Sequence, residues 1–165
     1  MTTLTDIYDK MISNGSLEDD LCQREIVEQL ENISRQVSNL KKKSIFFRKS
    51  SDINGAYIWG GVGCGKSMLM DLFVENLSIP NRRVHFHAFM QEIHNSLHKA
   101  RSSGVKDPLA LVANEVIKNF KVLALDEMQI KDITDAMIVG RLFNLLFDGG
   151  VVIVTTSNRV PSDLY

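Results

Sequence analysis

This sequence contains little cysteine and has a net charge close to zero. Its 165 residues contain two cysteines, Cys22 and Cys64, and carry a formal net charge of −1. Two cysteines so far apart do not form a disulfide framework, which favours a reducing compartment. The near-zero charge gives no electrostatic reason for strong non-specific binding to nucleic acid or to an acidic membrane surface.

Long apolar runs and targeting signals are missing as well. No apolar run approaches the roughly 20 residues that a membrane-spanning helix needs. The N-terminal stretch MTTLTDIYDKMISNGSLEDD is acidic and contains no continuous apolar segment, which argues against a signal peptide or an Arg-rich transit peptide. The sequence therefore predicts a cytoplasmic protein with no transmembrane segment, for which peripheral association with a membrane stays open.

The composition is sufficient for one compact domain, since 44% of the residues are hydrophobic. Residues 1–50 are predicted to form an N-terminal helical segment. A short helix stops at Asn14-Gly15, and a longer helix begins at a capping box of Ser16 and Asp19. Fewer than three full heptads favour packing of the longer helix on the domain over a coiled coil. Its apolar positions lie on one stripe: Cys22, Ile26, Leu30, Ile33, Val37 and Leu40.

After a polar link at 41–55, the stretch YIWGGVGCGKSMLM fits the phosphate-loop pattern G-x-x-x-x-G-K-[ST] in full. Apolar residues predict a strand before the loop and a helix after it. The glycines let backbone N–H groups surround a phosphate, Lys66 brings a positive charge to the outer phosphates, and the hydroxyl of Ser67 can bind a magnesium ion. The predicted nucleotide-binding residues are Gly60, Gly61, Val62, Gly63, Cys64, Gly65, Lys66, Ser67 and Met68.

A second motif, KVLALDE, ends an apolar strand with Asp126 and Glu127. In a nucleotide site the aspartate holds the magnesium shell together with Ser67, and the glutamate polarises an attacking water. Because a switch protein or a small-molecule kinase needs only the aspartate, the adjacent glutamate favours hydrolysis. A fourth apolar strand, VVIVTTSN, ends at Asn158, which either holds the attacking water or the terminal phosphate or simply forms a turn. The predicted catalytic residues are Glu127, Lys66 and Asn158.

Strands and helices alternate along residues 51–165, which predicts a parallel sheet with helices on both faces and ligands at the carboxyl ends of the strands. This is the α/β fold of P-loop NTPases. The segment RVHFHAF is predicted as the second strand, and a helix is expected to begin at Pro108. The last helix is capped by Asp132 and ends at Gly149-Gly150. It is expected to turn three apolar side chains inward: Met137, Leu142 and Leu145.

Four histidines, His85, His87, His94 and His98, lie close together and raise the alternative of a zinc site. The pair in the predicted strand and the pair on the following helix need not converge. No cysteine or carboxylate is suitably placed among them. Polar positions at the end of a strand are the favoured interpretation.

The chain resembles the ZapE family of AAA+ ATPases, the bacterial relatives of the mitochondrial Afg-type ATPases. The resemblance rests on Leu17, Asp20 and Gln23 and on the strings YIWGGVGCGKSMLMDLF, RVHFHAFMQEIH, LALDEMQIKDITDAM and TTSNRVPSDLY. It suggests that the segment around Asp20 and Gln23 lies near the adenine. The residues that it implies are Lys66 and Ser67 as Walker A, Asp126 and Glu127 as Walker B, and Asn158 as sensor 1.

The resemblance also implies a function, that of an AAA+ protein that binds ATP with Mg²⁺, hydrolyses it and remodels a protein partner as a homo-oligomer. Bacterial members are linked to the division ring of the tubulin-like protein FtsZ, and mitochondrial members to protein quality control. Phe86, Phe89 and Met90 become candidates for a substrate-contacting pore loop, with packing as an equal alternative. The rival from another class is a nucleotide-gated helicase loader that grips single-stranded DNA, for which the sequence offers only 41–43 and Arg82-Arg83.

The sequence departs from the family pattern at three positions. Cys64 stands where a basic residue is usual, Ser67 stands where threonine is usual, and Met128 stands where phenylalanine is usual. Beside Lys66 and a helix N-terminus, Cys64 is a candidate for an oxidation-sensitive thiol.

The chain ends at Tyr165, where family members continue into an arginine-bearing segment, a fifth strand and a helical lid. Arg141 and Arg159 remain, but neither stands where the family's arginine is expected. We expect the phosphate-loop strand at a sheet edge. Loss of a transition-state arginine costs about 10³ to 10⁵ in rate, so a form that binds nucleotide without turnover is a third interpretation.

Overall fold

The computed structural model describes residues 2–42 and 53–164. In chain order the elements are α1 (Leu4–Ser13), α2 (Leu21–Lys42), β1 (Ala56–Trp59), α3 (Lys66–Glu75), β2 (Asn81–His85), α4 (Phe86–Ser102), α5 (Pro108–Asn119), β3 (Val122–Asp126), α6 (Ile133–Asp148), β4 (Val152–Ser157) and a short 3₁₀ helix (Pro161–Asp163).

The described strands form a parallel sheet in the order β1-β4-β3-β2. Every residue of β3 and β4 is buried, as expected for central strands that are covered on both faces. Within the described part of the chain, β1 lies at one edge of the sheet, in agreement with the expectation from the sequence. The predicted α/β sheet with helices on both faces is confirmed.

Alternate side chains of the central strand β3 supply two separate hydrophobic clusters, because successive residues of a strand point to opposite faces. Leu123 and Leu125 pack in the cluster that α4, α5 and α6 cover. Val122 and Ala124 pack in the cluster that α1, α2 and α3 cover. The sheet is thus enclosed by one layer of helices on each face.

The N-terminal helices α1 and α2 pack in the same cluster as α3 and the sheet. The packed helix that the sequence favoured over a coiled coil is confirmed. The predicted boundary at 50/51 and most of the polar link lie outside the described residues, so the division into two segments stays a prediction. The side chain of Leu40 lies outside the described set as well.

Two details predicted for the N-terminal helices are wrong. A capping box is present at the start of α1, where it is formed by Thr3 and Asp6. Ser16 lies in the turn after α1, where its backbone N–H donates to the Asn14 side chain, so the predicted capping box does not form there. Cys22 is exposed. The buried stripe of α2 instead follows the spacing of Gln23, Val27, Leu30, Ile33 and Val37.

The predicted strand RVHFHAF is also partly wrong, since β2 ends at His85 and α4 begins at Phe86. Phe86, Phe89 and Met90 are 3%, 1% and 3% exposed in the cluster beneath α4. Their spacing is helical, and packing accounts for them. The pore-loop hypothesis for these three residues is therefore wrong.

The start of α6 is confirmed, because the Asp132 side chain accepts a hydrogen bond from the backbone N–H of Asp135. Its predicted inward face is only partly right. Leu142 is fully buried, whereas Met137 is 73% exposed. Leu145 is half-buried against the cluster beneath α6.

Candidate active site

The loop between β1 and α3 is shaped by glycines with left-handed backbones. Gly63 has a φ angle of 86° and Gly65 one of 76°, conformations that side chains disfavour. Gly65 is the N-cap of α3 and has no side chain to cover the first N–H groups of the helix. The loop therefore turns a helix N-terminus and its open backbone donors towards one side, which suits an anion.

Lys66 is the first residue of α3 and is only 9% exposed. Its Nζ donates hydrogen bonds to the carbonyl oxygens of Gly60 at 2.9 Å and Gly61 at 2.7 Å. The ammonium group thus lies over the loop, where it ties the loop's first residues to the helix that follows. A phosphate group in the loop would compete with these carbonyls for the same charge.

Asp126, at the end of β3, is 1% exposed. Its Oδ1 accepts a hydrogen bond from the Ser67 hydroxyl at 3.1 Å and another from the Thr156 hydroxyl. The hydroxyl and carboxylate oxygens that were predicted to bind magnesium are therefore adjacent. Oxygen ligands of this kind are the ones that Mg²⁺ prefers, so Ser67 and Asp126 are the residues that would hold a magnesium ion here.

The side chain of Glu127 is exposed, in contrast to that of the preceding Asp126. Its φ angle of 57° lies in the left-handed region, where residues other than glycine are uncommon. Its backbone N–H donates to the Thr156 hydroxyl at 2.9 Å, which fixes the turn. Because of that turn, the carboxylate is exposed, and its Oε2 lies 4.0 Å from His85 Nδ1.

These groups meet at a cavity of about 340 Å³ at the carboxyl ends of the strands. Gly60 and Gly61 contribute through the carbonyls that hold Lys66, and Asp126 lies behind Ser67. Cys64 has an exposed side chain, and its oxidation stays a prediction. The lining residues are Val62, Gly63, Cys64, Gly65, Lys66, Ser67, Met68, Glu127, Thr156, Ser157 and Asn158.

The histidines do not gather at this site. His94 Nε2 lies 2.8 Å from Asp135 on α6, whereas His85 lies at the end of β2. Among the described residues, no group of three or more histidine, cysteine, aspartate or glutamate side chains is arranged to hold a metal ion. The zinc alternative gains no support from the structure.

The sequence did not reveal the importance of Thr156 and Ser157. Thr156 joins the two acidic residues, because its hydroxyl donates to Asp126 and accepts from the backbone of Glu127. The Ser157 hydroxyl donates to the carbonyl of Met128 at 2.8 Å, so it holds the turn that follows Glu127. The only sequence signal was that hydroxyl residues end an otherwise apolar strand.

Arg83, in β2, has a role at the site that its place in the basic pair Arg82-Arg83 does not indicate. Its Nη2 donates to Asp126 Oδ2 at 2.8 Å. Its Nε lies 2.9 Å from Asp71 Oδ1, but among the described residues no acceptor is aligned with the Nε hydrogen, so that contact is an ion pair without a hydrogen bond. Arg83 thus supplies the countercharge for the buried carboxylate of Asp126.

The fold and this arrangement define a P-loop NTPase. In this class the first strand of a parallel sheet is followed by a glycine-rich loop and a helix, and an acidic pair lies beside them. The model of the family described as AFG1-like ATPase matches residues 2–165. The chain therefore belongs to the AFG1-like ATPase family, and the resemblance found in its motifs is confirmed.

Two relatives and one solved structure give the range of similarity. The chain is 37% identical over 180 aligned positions to Cell division protein ZapE of Escherichia coli (strain K12), covering 99% of this chain and 48% of ZapE. It is 42% identical over 147 positions to Lactation elevated protein 1 homolog B of Danio rerio, covering 82% of this chain and 28% of that protein. This chain therefore spans about half the length of ZapE and less of the Danio rerio protein.

The solved structure of AMPPCP-bound DnaA from Aquifex aeolicus matches with a TM-score of 0.59 at 17% identity, covering 99% of this chain and 44% of DnaA. Identity this low supports a shared fold alone. Among the described helices, none combines the length and the apolar character needed to cross a bilayer.

Proposed function

We propose that this chain binds ATP with Mg²⁺ in the loop before α3 and hydrolyses it. The observation that carries the proposal is that the loop, Glu127 and Asn158 meet at one cavity, with Asp126 bonded to Ser67 behind it, although they come from three separate parts of the sequence. Membership of a family of ATPases supports it.

Each group has a distinct role in this proposal. Backbone N–H groups of the loop and the ammonium of Lys66 bind the phosphates. Ser67 and Asp126 hold the magnesium ion, which, when bound, neutralises charge on the phosphate oxygens. The exposed carboxylate of Glu127 polarises the attacking water, and the side chain of Asn158 orients that water or the terminal phosphate.

Replacing Glu127 with glutamine is expected to separate binding from hydrolysis. The amide keeps the size of the side chain but cannot accept a proton, so phosphate release should fall by about 10² to 10⁴. The affinity for magnesium and ATP should change little, because the carboxylate is not needed to hold the phosphates. Calorimetric titration and phosphate release are measured on the same samples.

Glu115→Gln, an exposed change on α5, is the matched control for loss of one negative charge. If Glu127→Gln hydrolyses ATP at the rate of the unchanged chain, Glu127 is not the base. If the unchanged chain binds ATP and releases no phosphate, the proposal for this chain narrows to nucleotide binding.

For the whole protein, we propose a cytoplasmic homo-oligomer that remodels a protein partner in cell division, with the FtsZ ring as the partner to test. The name of the related ZapE supports the link to division. The full-length protein should sediment with FtsZ polymers in the presence of ATP and be released when ATP is withheld. Equal sedimentation with and without ATP would contradict an ATP-driven action on the polymers.

The helicase-loader alternative gains no support from Arg82 and Arg83, because both pair with carboxylates of this chain. Arg82 pairs with Glu92 at 2.7 Å, and Arg83 pairs with Asp71 and Asp126. The side chains at 41–43 lie outside the described set. Binding to single-stranded DNA that weakens steeply with added salt would revive this alternative.

A further inference from the structure

A hydrogen-bonded chain joins both N-terminal helices to the phosphate loop. The Tyr8 hydroxyl of α1 donates to Gln23 Oε1 of α2 at 3.0 Å. Gln23 Nε2 in turn donates to the carbonyl oxygen of Cys64 in the loop at 3.2 Å. Tyr8 is fully buried and Gln23 is 9% exposed, so water competes little for either contact.

The orientation of the Gln23 amide follows from the chemistry of its neighbours. A backbone carbonyl only accepts hydrogen bonds, so the amide must face Cys64 with its nitrogen and Tyr8 with its oxygen. Burial raises the pKa of the Tyr8 hydroxyl, which keeps it protonated as the donor. The side chain of Asp20 caps the start of α2 by accepting a hydrogen bond from the backbone N–H of Gln23 at 3.2 Å. This bond fixes the backbone of Gln23, from which the amide reaches the loop.

This contact determines which way one loop peptide faces. The described backbone contains no cis peptide bond, and in a trans peptide the C=O and the following N–H point in opposite directions. Holding the Cys64 carbonyl towards α2 therefore turns the N–H of Gly65 away from α2. A Cβ at Gly65 would lie 2.8 Å from Gln23 Nε2, so a side chain at this position would push the Gln23 amide away from the loop.

We propose that Gln23, supported by Tyr8, is a positioning residue that sets the Cys64–Gly65 peptide so that its N–H faces the phosphate site. This inference rests on the proposed nucleotide site and deepens it, because α1 and α2 become parts of that site. The role differs from contact with the adenine, which the family resemblance suggested for this segment.

The test compares Gln23→Met with the double variant Tyr8→Phe/Gln23→Met. Methionine keeps the length and helix preference of glutamine but cannot donate to Cys64. Alone it leaves the buried Tyr8 hydroxyl without its acceptor, which destabilises the fold, and the added phenylalanine removes that hydroxyl. Both variants should bind magnesium–ATP about fivefold to tenfold more weakly, the loss expected for one hydrogen bond. The double variant should regain thermal stability without regaining affinity.

Gln29→Met, an exposed change on the same helix, should bind like the unchanged chain. Recovery of affinity together with stability in the double variant would overturn the proposal, because Gln23 would then act through the fold alone. Without nucleotide, the chemical shifts of the Cys64 carbonyl carbon and of the Gly65 amide should change in both Gln23 variants, because that carbonyl loses its hydrogen bond and the peptide is no longer held. That second readout decides the inference even if the unchanged chain binds no nucleotide, and unchanged shifts of this peptide would also overturn it.

Discussion

Replacing Lys66 with alanine is expected to weaken the binding of magnesium–ATP by about 30- to 150-fold, equivalent to about 2–3 kcal/mol. The ammonium group is nearly buried at the start of α3, where its attraction for phosphate oxygens is little screened by water. The substitution also frees the carbonyls of Gly60 and Gly61, so the loop loses part of its internal support. Calorimetric titration with ATP and with ADP measures the loss.

Lys118→Ala is the matched control, because it removes one positive charge from an exposed position on α5. Its nucleotide affinity should equal that of the unchanged chain. Thermal unfolding of both variants shows whether each is folded before binding is compared. Full affinity in a folded Lys66→Ala variant would mean that the loop is not the nucleotide site.

Replacing Arg83 with methionine is expected to destabilise the fold by about 2–4 kcal/mol, because it leaves the buried carboxylate of Asp126 without its countercharge. The Arg83 side chain is 26% exposed and that of Asp126 only 2% exposed, so solvent cannot replace the guanidinium at the carboxylate. Chemical denaturation in a buffer that contains a chelator measures the change.

The neighbouring Arg82→Met provides the control. Arg82 pairs with Glu92, whose side chain is 51% exposed, so this change should cost no more than about 1 kcal/mol. Magnesium with ADP should narrow the gap between Arg83→Met and the unchanged chain, since the ion supplies positive charge beside Asp126. Equal losses for the two arginines, or a gap that magnesium and ADP leave unchanged, would contradict this view of Arg83.

Much of the fold and the centre of the site could be predicted because their signals are local. The apolar run 122–125 before Asp126 was long enough to indicate a buried strand, and Asp132 marked a helix start through its side-chain chemistry. The loop is specified by consecutive residues, so its glycines and Lys66 were found together. The parallel arrangement then placed Asn158 near them by topology alone.

The features that were missed depend on register and on side-chain direction. Alternation at the end of β2 resembled a continuing strand, and only the spacing of Phe86, Phe89 and Met90 reveals a helix. Arg83 lies opposite Ala124 in the β2–β3 register. Ala124 precedes Asp126 by two residues and shares its face of the sheet, so the contact of Arg83 with Asp126 can be predicted only once that register is known. Gln23 contacts Cys64, which lies 41 positions further along the sequence, and no local pattern predicts that contact.

Strand β1 is joined to one neighbour within the described part of the sheet, and its short ladder to β4 runs from Ala56 to Trp59. The backbone N–H of Gly60 extends this ladder with a hydrogen bond of 3.3 Å to the carbonyl of Ser157. The two walls of the cavity, the loop after β1 and residues 156–158 at the end of β4, are thus held together by few backbone bonds. Local opening of β1 would separate them without unfolding the central strands. A ligand that contacts both walls therefore holds β1 against β4 at the edge of the sheet, and its binding free energy adds directly to the local stability of β1.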